Sequence, residues 1–346
     1  MARVDLVVMG GGITGLALAW EAARRGARVR LVEARALGAG ASGGLVGALA
    51  PHAPEAWTET KAFQLESLLD AEAFFAGAEA ASGLPTHYAR TGRLQPIADA
   101  EGLAKARERA GAAATLWQGR ATWEIRPAAD FRHAPASPTG LVVHDTLSAR
   151  LHPRSTLAAL ASAISAKGGA VLLGEAPQDP APVIWATGAT GLADLSASLG
   201  RPMGSGVKGQ AASFALDLGT VPQLYAGGLH IVPHGDGTVA IGSTSENVWT
   251  DPLSTDAQLD ALIARARAAL PALADAPVLH RWAGIRPRAQ SRGPLLGAWP
   301  GRPGHFIANG GFKIGFGIAP GVARLMVDLV LEGRDNIPAA FRPPQA

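Results

Sequence analysis

The sequence contains no cysteine. A chain without thiols has no disulfide scaffold, no zinc ribbon, no iron–sulfur cluster and no thiol catalysis, and it attaches no cofactor through a cysteine sulfur. Charged residues are also few, at 17% of the 346 residues, against about 25% in an ordinary soluble protein. The 48% of hydrophobic residues is enough for a large core. At about 150 residues per domain, the length predicts roughly two domains.

Long runs of basic or apolar residues are missing as well. Lys and Arg number 31 against 28 Asp and Glu, and nowhere do five basic residues follow one another, so an arm that binds nucleic acid is not expected. The sequence has no stretch of about 20 uninterrupted apolar residues, so no membrane span is predicted. The apolar segment 7–20 holds four glycines and follows few basic residues, unlike a signal peptide. We therefore expect a cytoplasmic protein that acts on neither membranes nor nucleic acids.

A glycine-rich turn near the start carries the clearest signal. Residues 4–8 are predicted to form a buried strand, and Gly10, Gly12 and Gly15 follow it in the spacing G-x-G-x-x-G. A helix and a second strand ending at Glu33 come next, which completes the unit that binds the diphosphate of dinucleotides. Gly10 permits the tight turn, Gly12 lets the backbone approach the diphosphate, and Gly15 lets helix and strand pack closely. The diphosphate lies on the free N–H groups of the helix N-terminus.

Other segments indicate which dinucleotide binds. At the end of the second strand, the Glu33 carboxylate can accept the ribose hydroxyls, and it would repel the 2′-phosphate of NADP. The small residues 39–44 form a second loop that suits a bulky planar ring, and the strand 183–185 ends in Ala186-Thr187-Gly188. These two segments look like the two FAD contacts of flavoproteins with two dinucleotide folds. The sequence therefore favours FAD.

With these motifs the chain resembles the D-amino-acid-oxidase-type FAD-dependent oxidoreductases, and within them it is similar to glycine oxidase. Further segments with the same resemblance follow in the family's order. They are A-S-G-G-L-V-G-A-L-A-P at 41–51, V-K-G-Q at 207–210, H-I-V-P-H-G-D-G-T-V-A-I-G-S-T at 230–244, W-A-G-I-R-P at 282–287 and N-G-G-F-K-I-G-F-G-I-A-P at 309–320. The resemblance covers most of the chain.

The resemblance implies an α/β fold with two interleaved domains. A Rossmann-like FAD-binding domain with a central parallel sheet would comprise residues 1–84, 141–204 and 290–346. A substrate domain with an antiparallel sheet would comprise residues 85–140 and 205–289. The substrate would bind at the interface of the domains, which is a common place for ligand sites.

The family also implies which side chains bind the substrate. Its W-A-G-x-R-P arginine binds the substrate carboxylate, which assigns that role to Arg286, and a guanidinium can bind a carboxylate through two parallel hydrogen bonds. Lys313 stands where similar members have another arginine, and His230 stands where glycine oxidase has a tyrosine. Gly311 replaces a histidine. We expect Arg286, Lys313 and His230 to form the catalytic site, in a pocket more polar and more basic than that of glycine oxidase.

The residues expected to contact FAD come from these motifs together. They are Gly10, Gly12, Ile13, Thr14, Gly15, Glu33, Ala34, Arg35, Ala41, Ser42, Gly43, Leu45, Val171, Ala186, Thr187, Gly188, Arg286, Gly311, Phe312, Lys313, Ile314 and Gly315. The histidine that carries covalent FAD in some relatives lies nearer to the Ala-Ser-Gly segment than His52 does, so we expect non-covalent FAD. No histidine spacing indicates a metal site.

The leading functional hypothesis is oxidation of a small amino acid or amine, such as glycine, sarcosine or a D-amino acid. Hydride would pass from the α-carbon to flavin N5 and the resulting imine would be hydrolysed, with oxygen or another carrier as the electron acceptor. Arg288 and Arg292, which lie near Arg286, either bind a second anionic group of the substrate or are solvated loop residues. The oligomeric state stays open, and a homo-oligomer is compatible with the sequence.

Three alternatives remain. A 2-hydroxy-acid dehydrogenase of the same fold would need a base for the alcohol proton, and His230 would be the candidate. Segment 41–51 is also similar to the oxidase half of the enzyme that matures methylaminomethyl-uridine in tRNA, although the chain has no obvious basic stripe. A flavoprotein with a purely structural role is the third alternative.

Periodicity predicts the remaining elements. Helices are expected over 57–81, 154–167, 256–270 and 321–331, with Gly315, Gly317 and a helix start at Ala319-Pro320 facing the flavin. Strands are expected over 170–173, 211–216, 229–233 and 238–242. Residues 85–141 predict short strands and proline-rich connections.

Overall fold

A computed structural model describes residues 4–175 and 180–344 of the chain. The helices of this part are α1 (Ile13–Arg24), α2 (Glu59–Ser82), α3 (Ala100–Leu116), α4 (Pro153–Ala166), α5 (Gly188–Leu199), α6 (Ala257–Ala269) and α7 (Gly315–Glu332). The strands are β1 (Leu6–Met9), β2 (Val29–Glu33), β3 (Ala48–Leu49), β4 (Arg93–Pro96), β5 (Trp123–Pro127), β6 (Leu141–Asp145), β7 (Ala149–Arg150), β8 (Ala170–Leu173), β9 (Val183–Trp185), β10 (Gly204–Ala215), β11 (Gln223–Ala226), β12 (Leu229–Pro233), β13 (Thr238–Gly242), β14 (Val278–Ala289), β15 (Leu295–Ala298) and β16 (His305–Asn309).

The first large sheet has six strands in the order β15-β16-β9-β1-β2-β8. All neighbours pair in parallel except β15 and β16, which are antiparallel. Its central strands are apolar, with Leu6, Val8 and Leu31 fully buried, as expected for parallel strands covered on both faces. Helix α1 packs on both α4 and α7 in the same core. The carboxyl ends of β1, β2 and β9 therefore come together at one edge.

The second large sheet has eight strands in the order β14-β10-β13-β12-β11-β4-β6-β5. One face is apolar: Leu94, Phe214, Leu224, Ile231 and Ile241 pack with α6. Because side chains alternate along a strand, the pairing register assigns the polar residues to the other face. That face carries Arg286, Gly209, Gly242, His230, Tyr225, Arg93, Gln95 and Asp145.

The α/β class with a parallel and a largely antiparallel sheet is confirmed by this topology. The domain division stays a prediction. The strands of the six-stranded sheet lie in 1–84, 141–204 and 290–346, but β6 pairs in the eight-stranded sheet although residue 141 opens a predicted FAD-binding segment.

Two helix predictions are wrong. The last helix begins at Gly315, and Pro320 lies inside it instead of at its start. In the second turn, proline removes its own N–H bond and its ring crowds the carbonyl four residues earlier. Burial of Ile318, Val322 and Met326 against the core compensates for that cost. Residues 100–116 form the unpredicted helix α3, which buries only Ala106 and Ala113, so its apolar periodicity was too weak to detect.

The glycine of α1 provides a stability test. A methyl group added at Gly15 would lie 1.9 Å from the carbonyl oxygen of Gly10, which belongs to the turn after β1. We expect Gly15→Ala to lower the free energy of unfolding by about 1–3 kcal/mol, as overpacking typically does, and to weaken retention of the flavin. Thermal unfolding followed by flavin release measures both effects.

Gly77→Ala in α2 is the matched control, because a methyl group there would lie 3.6 Å from the Trp20 ring, an ordinary contact. It should leave the protein unchanged or more stable by about 0.5–1 kcal/mol. Equal stability of the two variants would contradict the close packing of α1 on the turn.

Candidate active site

A cavity of about 1030 Å³ lies where the two large sheets meet. It is bounded by the turns after β1, β2 and β9, by the loop 39–53, by the polar face of the eight-stranded sheet and by the start of α7. Its volume is at the upper end of the range of about 300–1,000 Å³ found for small-molecule sites. It has room for a long cofactor and a small substrate.

The end of the cavity next to α1 fits a diphosphate. Gly10 has a φ of +112°, and a methyl group there would lie 2.5 Å from the Ala186 carbonyl oxygen. At Gly12 an added methyl group would approach the Ser42 side chain alone, with the hydroxyl oxygen at 3.1 Å. The backbone at Gly12 is therefore open to a ligand at the helix N-terminus, where anions bind favourably. The hydroxyl of Ser42 accepts a hydrogen bond from the Ile13 N–H at 3.0 Å.

Glu33 holds a fixed carboxylate at the end of β2. One oxygen accepts from the N–H of Gly11 at 2.7 Å and the other from the N–H of Arg35 at 3.0 Å. Each carboxylate oxygen can accept more than one hydrogen bond, and Glu33 lines the cavity. The carboxylate can therefore still accept hydroxyl groups of a ribose.

The start of α7 supplies a second group of free N–H donors. Residues 314–317 line the cavity, and because the helix begins at Gly315, the unpaired N–H groups belong to its first turn rather than to Ala319 and Pro320. A helix N-terminus attracts electron-rich atoms. This end of the cavity therefore fits the polar edge of a bound ring system.

Most of the residues predicted to contact FAD line this one cavity. They are Gly10, Gly12, Ile13, Thr14, Glu33, Ala34, Arg35, Ala41, Ser42, Leu45, Ala186, Thr187, Gly188, Arg286, Gly311, Phe312, Lys313, Ile314 and Gly315. Gly15, Gly43 and Val171 do not line it. Gly15 and Gly43 instead permit close backbone packing, since a methyl group at Gly43 would lie 2.3 Å from the Gly38 carbonyl oxygen. Val171 lies on β8, at the edge of the sheet beyond β2.

Arg286 is buried, with 9% of its surface exposed, at the edge strand of the polar face. Its Nη1 donates to the Ser243 hydroxyl at 2.6 Å, and its Nη2 donates to the carbonyl oxygens of Thr244 at 2.6 Å and Lys208 at 3.0 Å. Its Nε has no protein partner. Because both protons of Nη2 are engaged, the free donors are Nε and the second proton of Nη1.

The V-K-G-Q segment explains how Arg286 is positioned. A methyl group at Gly209 would lie 2.4 Å from Nη2 of Arg286, so only glycine leaves room for the guanidinium. Gln210 donates to Glu246 at 3.0 Å and to Asp256 at 2.8 Å, and Nζ of Lys208 lies 3.8 Å from Glu246. These contacts fix the segment after β13, residues 243–246. In this segment the carbonyl oxygen of Thr244 accepts a hydrogen bond from Arg286.

Burial lowers the pKa of Arg286 to about 10, and the charge of Glu246 opposes that shift. Arg286 therefore keeps its positive charge at neutral pH. A buried cation without a carboxylate at hydrogen-bond distance favours an anionic ligand.

Lys313 adds a second positive charge beside Arg286. Its side chain lines the cavity, and partial burial followed by the charge of Arg286 lowers its pKa below the usual value of 10.5. Its Nζ lies 5.6 Å from the centre of the Phe312 ring, and the guanidinium carbons of Arg286 and Arg288 lie 5.7 and 5.8 Å from the same centre. Phe312 has a φ of +43°, a strained conformation that is characteristic of functional sites.

His230 stays neutral. Burial, with the charges of Arg93 and Lys313, lowers its pKa to about 3. Its ring packs against Tyr225, with 4.6 Å between centres, and its Nδ1 has no partner. His230 can therefore hydrogen-bond a ligand, but it is a weak base and carries no charge at neutral pH.

Several residues that line the cavity were not predicted as site residues from the sequence. They include Arg93, Gln95, Tyr225, Ser243, Trp282 and Asn309. Arg93 could have been noticed as a charged residue in a short, otherwise uncharged segment. Its place in the cavity depends on which strands lie beside β4, and a single sequence does not define strand order. Arg288 and Arg292 do not line the cavity; Arg288 donates to the Ser205 hydroxyl at 3.3 Å instead.

Within residues 4–175 and 180–344, no group of three or more His, Asp or Glu side chains is arranged to hold a metal ion. In the same part of the chain, no helix is both long and apolar enough to cross a membrane.

Comparison with known proteins supports the same interpretation. The model of a family described as FAD dependent oxidoreductase matches residues 5–329. The glycine oxidase of Pseudomonas aeruginosa is 36% identical over 140 residues, which are 40% of this chain and 38% of that protein, so the alignment spans well under two thirds of this relative.

Solved structures match over the whole length. The crystal structure of glycine oxidase from Geobacillus kaustophilus has a TM-score of 0.85 at 23% identity and covers 100% of both chains. That of iminodiacetate oxidase from Chelativorans sp. BNC1 has a TM-score of 0.82 at 21% identity and covers 99% of this chain and 100% of the other. At these identities the similarity demonstrates the fold.

Gly209 provides a test of how Arg286 is positioned. We expect Gly209→Ala to displace the guanidinium and to weaken the binding of a carboxylate such as acetate by about 10- to 100-fold, which corresponds to about 1.4–2.8 kcal/mol. Perturbation of the flavin absorbance by acetate measures the dissociation constant. Gly111→Ala on α3, where the space is open, is the control and should bind acetate normally. Normal binding by Gly209→Ala would contradict the assigned positioning.

Proposed function

Because the chain belongs to the family of FAD dependent oxidoreductases, we propose that it oxidises a small amino acid or amine with non-covalently bound FAD. Family membership identifies FAD as the cofactor and oxidation–reduction as the reaction class. The observation that carries the rest is the pair Arg286 and Lys313, two cations that line the cavity beside the start of α7. The hydrogen-bond partners of Arg286 among the described residues are neutral oxygens, those of Ser243, Thr244 and Lys208.

The residues at the other end of the cavity support FAD as the cofactor. Gly12 and the N-terminus of α1 would bind the diphosphate, and Glu33 would accept the ribose hydroxyls. The first turn of α7 would donate to the flavin ring. His52 donates its backbone N–H to Gln64, and its Nδ1 lies 2.6 Å from the same amide oxygen. Non-covalent attachment of FAD stays a prediction from the sequence.

The side chains of this protein would bind and orient the substrate. Arg286 and Lys313 would bind the carboxylate, and neutral His230 would add a hydrogen bond through its unpaired Nδ1. When bound, FAD supplies an acceptor for a hydride. The α-carbon would lose that hydride as the nitrogen lone pair forms a C=N bond, and the N–H proton would pass to water. Hydrolysis of the imine then gives an oxo acid and ammonia or an amine.

The other functional hypotheses have less support. Oxidation of a 2-hydroxy acid requires removal of an alcohol proton, and a histidine whose pKa is about 3 is a poor base at neutral pH. Oxidation of a modified tRNA base would require a surface that binds RNA, and the sequence has no obvious basic stripe. The structural similarity to glycine oxidase and iminodiacetate oxidase supports an amine or amino acid as the substrate class. Oxygen or another carrier would accept the electrons, and cytoplasmic location remains the prediction.

Anaerobic reduction of the flavin tests the proposed reaction. Glycine, sarcosine, D-amino acids, simple amines and 2-hydroxy acids would each be mixed with the oxidised protein without oxygen. We expect an amino acid or amine to bleach the flavin absorbance and Arg286→Lys to slow bleaching by at least 100-fold, because the two-donor geometry is lost. Bleaching only by hydroxy acids would contradict the proposal. Rapid return of the colour in air would identify oxygen as the acceptor.

Lys313 predicts a pH dependence of anion binding. Protonated Lys313 attracts a carboxylate, so affinity should fall as the pH rises through its pKa, which lies below 10.5. We expect acetate to bind several-fold more weakly at pH 9.5 than at pH 7, and Lys313→Met to remove most of this dependence. Titration of the flavin absorbance at each pH measures it. Lys105→Met, on the exposed side of α3, is the control; the same pH dependence in wild type and Lys313→Met would contradict the assignment.

A further inference from the structure

Arg93 is a second buried guanidinium in the cavity, far from Arg286 along the same sheet. It is 6% exposed and lies on β4, while Arg286 lies on β14. Four strands separate them in the sheet, and both side chains line the cavity. A ligand in this cavity can therefore face both cations.

The contacts of Arg93 leave one side of its guanidinium open. Its Nε donates to the Asp145 carboxylate at 2.8 Å, and its Nη2 lies 3.5 Å from the Pro51 carbonyl oxygen, at the limit of a hydrogen bond. Its Nη1 makes no hydrogen bond with the described residues. Asp145 is fully buried, and its other oxygen accepts from the Ser148 N–H at 2.8 Å. Asp145 thus holds Arg93 by one edge, and the terminal nitrogens are available to a ligand.

Other polar atoms near Arg93 also lack partners. Gln95, two residues further along β4, lines the cavity, and its Nε2 is buried without a hydrogen bond. Nδ1 of His230 is likewise unpaired. The positive charges of Arg93 and Lys313 both lower the pKa of His230, and all three side chains line the cavity. Buried polar groups are normally satisfied, so unpaired donors beside an open guanidinium indicate a polar ligand.

We propose that the substrate carries two carboxylates, one bound at Arg286 and Lys313 and the second at Arg93 and Gln95. This inference rests on the proposed function and names its substrate class. Arg288 and Arg292 do not supply the second site, since neither lines the cavity. The second carboxylate is either on the nitrogen substituent, as in N-(carboxymethyl)glycine, or on the side chain, as in D-aspartate and D-glutamate.

Two matched substrate pairs test the proposal and separate the two cases. Sarcosine and N-(carboxymethyl)glycine differ by a carboxylate on the nitrogen substituent, and D-alanine and D-aspartate by one on the side chain. We expect wild-type protein to favour the dicarboxylate at least tenfold in kcat/KM in one of the pairs. A preference for the monocarboxylate in both pairs would overturn the inference while leaving the proposed function intact.

Changing Arg93 tests its part in that preference. Asp145 would be left unpaired in the core by a single substitution, so the variant is Arg93→Gln with Asp145→Asn, which keeps an acceptor for the Ser148 N–H. We expect the dicarboxylate preference to fall by 10- to 100-fold, and Arg93→Lys to retain part of it. The control is Arg126→Gln with Asp130→Asn, an exposed pair at 2.8 Å in the same part of the chain, which should keep the preference. An unchanged preference in the Arg93 variant would overturn the inference.

A binding measurement needs no turnover. Acetate, malonate and succinate are titrated against the flavin absorbance of wild type and both paired variants. Wild type should bind malonate or succinate at least tenfold more tightly than acetate, and the Arg93 variant should lose that difference. Equal affinities in wild type would overturn the inference. If no amine or amino acid reduces the flavin while dicarboxylates still bind tightly, the proposed function fails and the anion site stands.

Discussion

The arrangement of residues at the substrate end of the cavity depends on the buried guanidinium of Arg286. A cation removed from water needs oxygen atoms around it, and here they come from two backbone carbonyls and one hydroxyl. Two of those oxygens, of Ser243 and Thr244, lie on the segment after β13, which Lys208 and Gln210 anchor through Glu246. Gly209 provides the room. The need to surround the buried charge of Arg286 thus accounts for the residue types of the V-K-G-Q motif at 207–210.

The division of the eight-stranded sheet into two faces makes this arrangement possible. The apolar face packs on α6 and supplies the stability of this half of the molecule, since burial of apolar surface is the main driving force of folding. The opposite face can then carry charged and small residues without a core to pack against. The turns at the carboxyl ends of the six-stranded sheet form the end of the cavity that fits a nucleotide. Each sheet therefore supplies one half of the cavity.

Short-range sequence patterns were sufficient to predict which residues line the end of the cavity next to α1. The spacing of Gly10, Gly12 and Gly15 and the position of Glu33 follow from one strand–turn–helix–strand unit, and the α/β class followed from its resemblance to a known family. The substrate end was different, because Arg93 and Tyr225 reach the cavity through strand pairings between distant segments. The start of α7 was misplaced because a proline rule outweighed the burial of the first turns of the helix. Local sequence specifies the elements, whereas register and strand order determine which side chains meet.

The parallel pairing of β4 with β11 has a consequence for how the protein forms. Arg93 is the direct neighbour of Gln223, about 130 residues later, and the chain between them contains β8 and β9 of the other sheet. Closing so long a loop costs entropy before any contact repays it, and distant pairings slow folding. The face that carries Arg93 and His230 is therefore complete only after β11 has been synthesised. Because β1 of the other sheet likewise pairs with β9, about 175 residues later, each sheet encloses chain segments of the other, and the two halves of the cavity form as one cooperative unit.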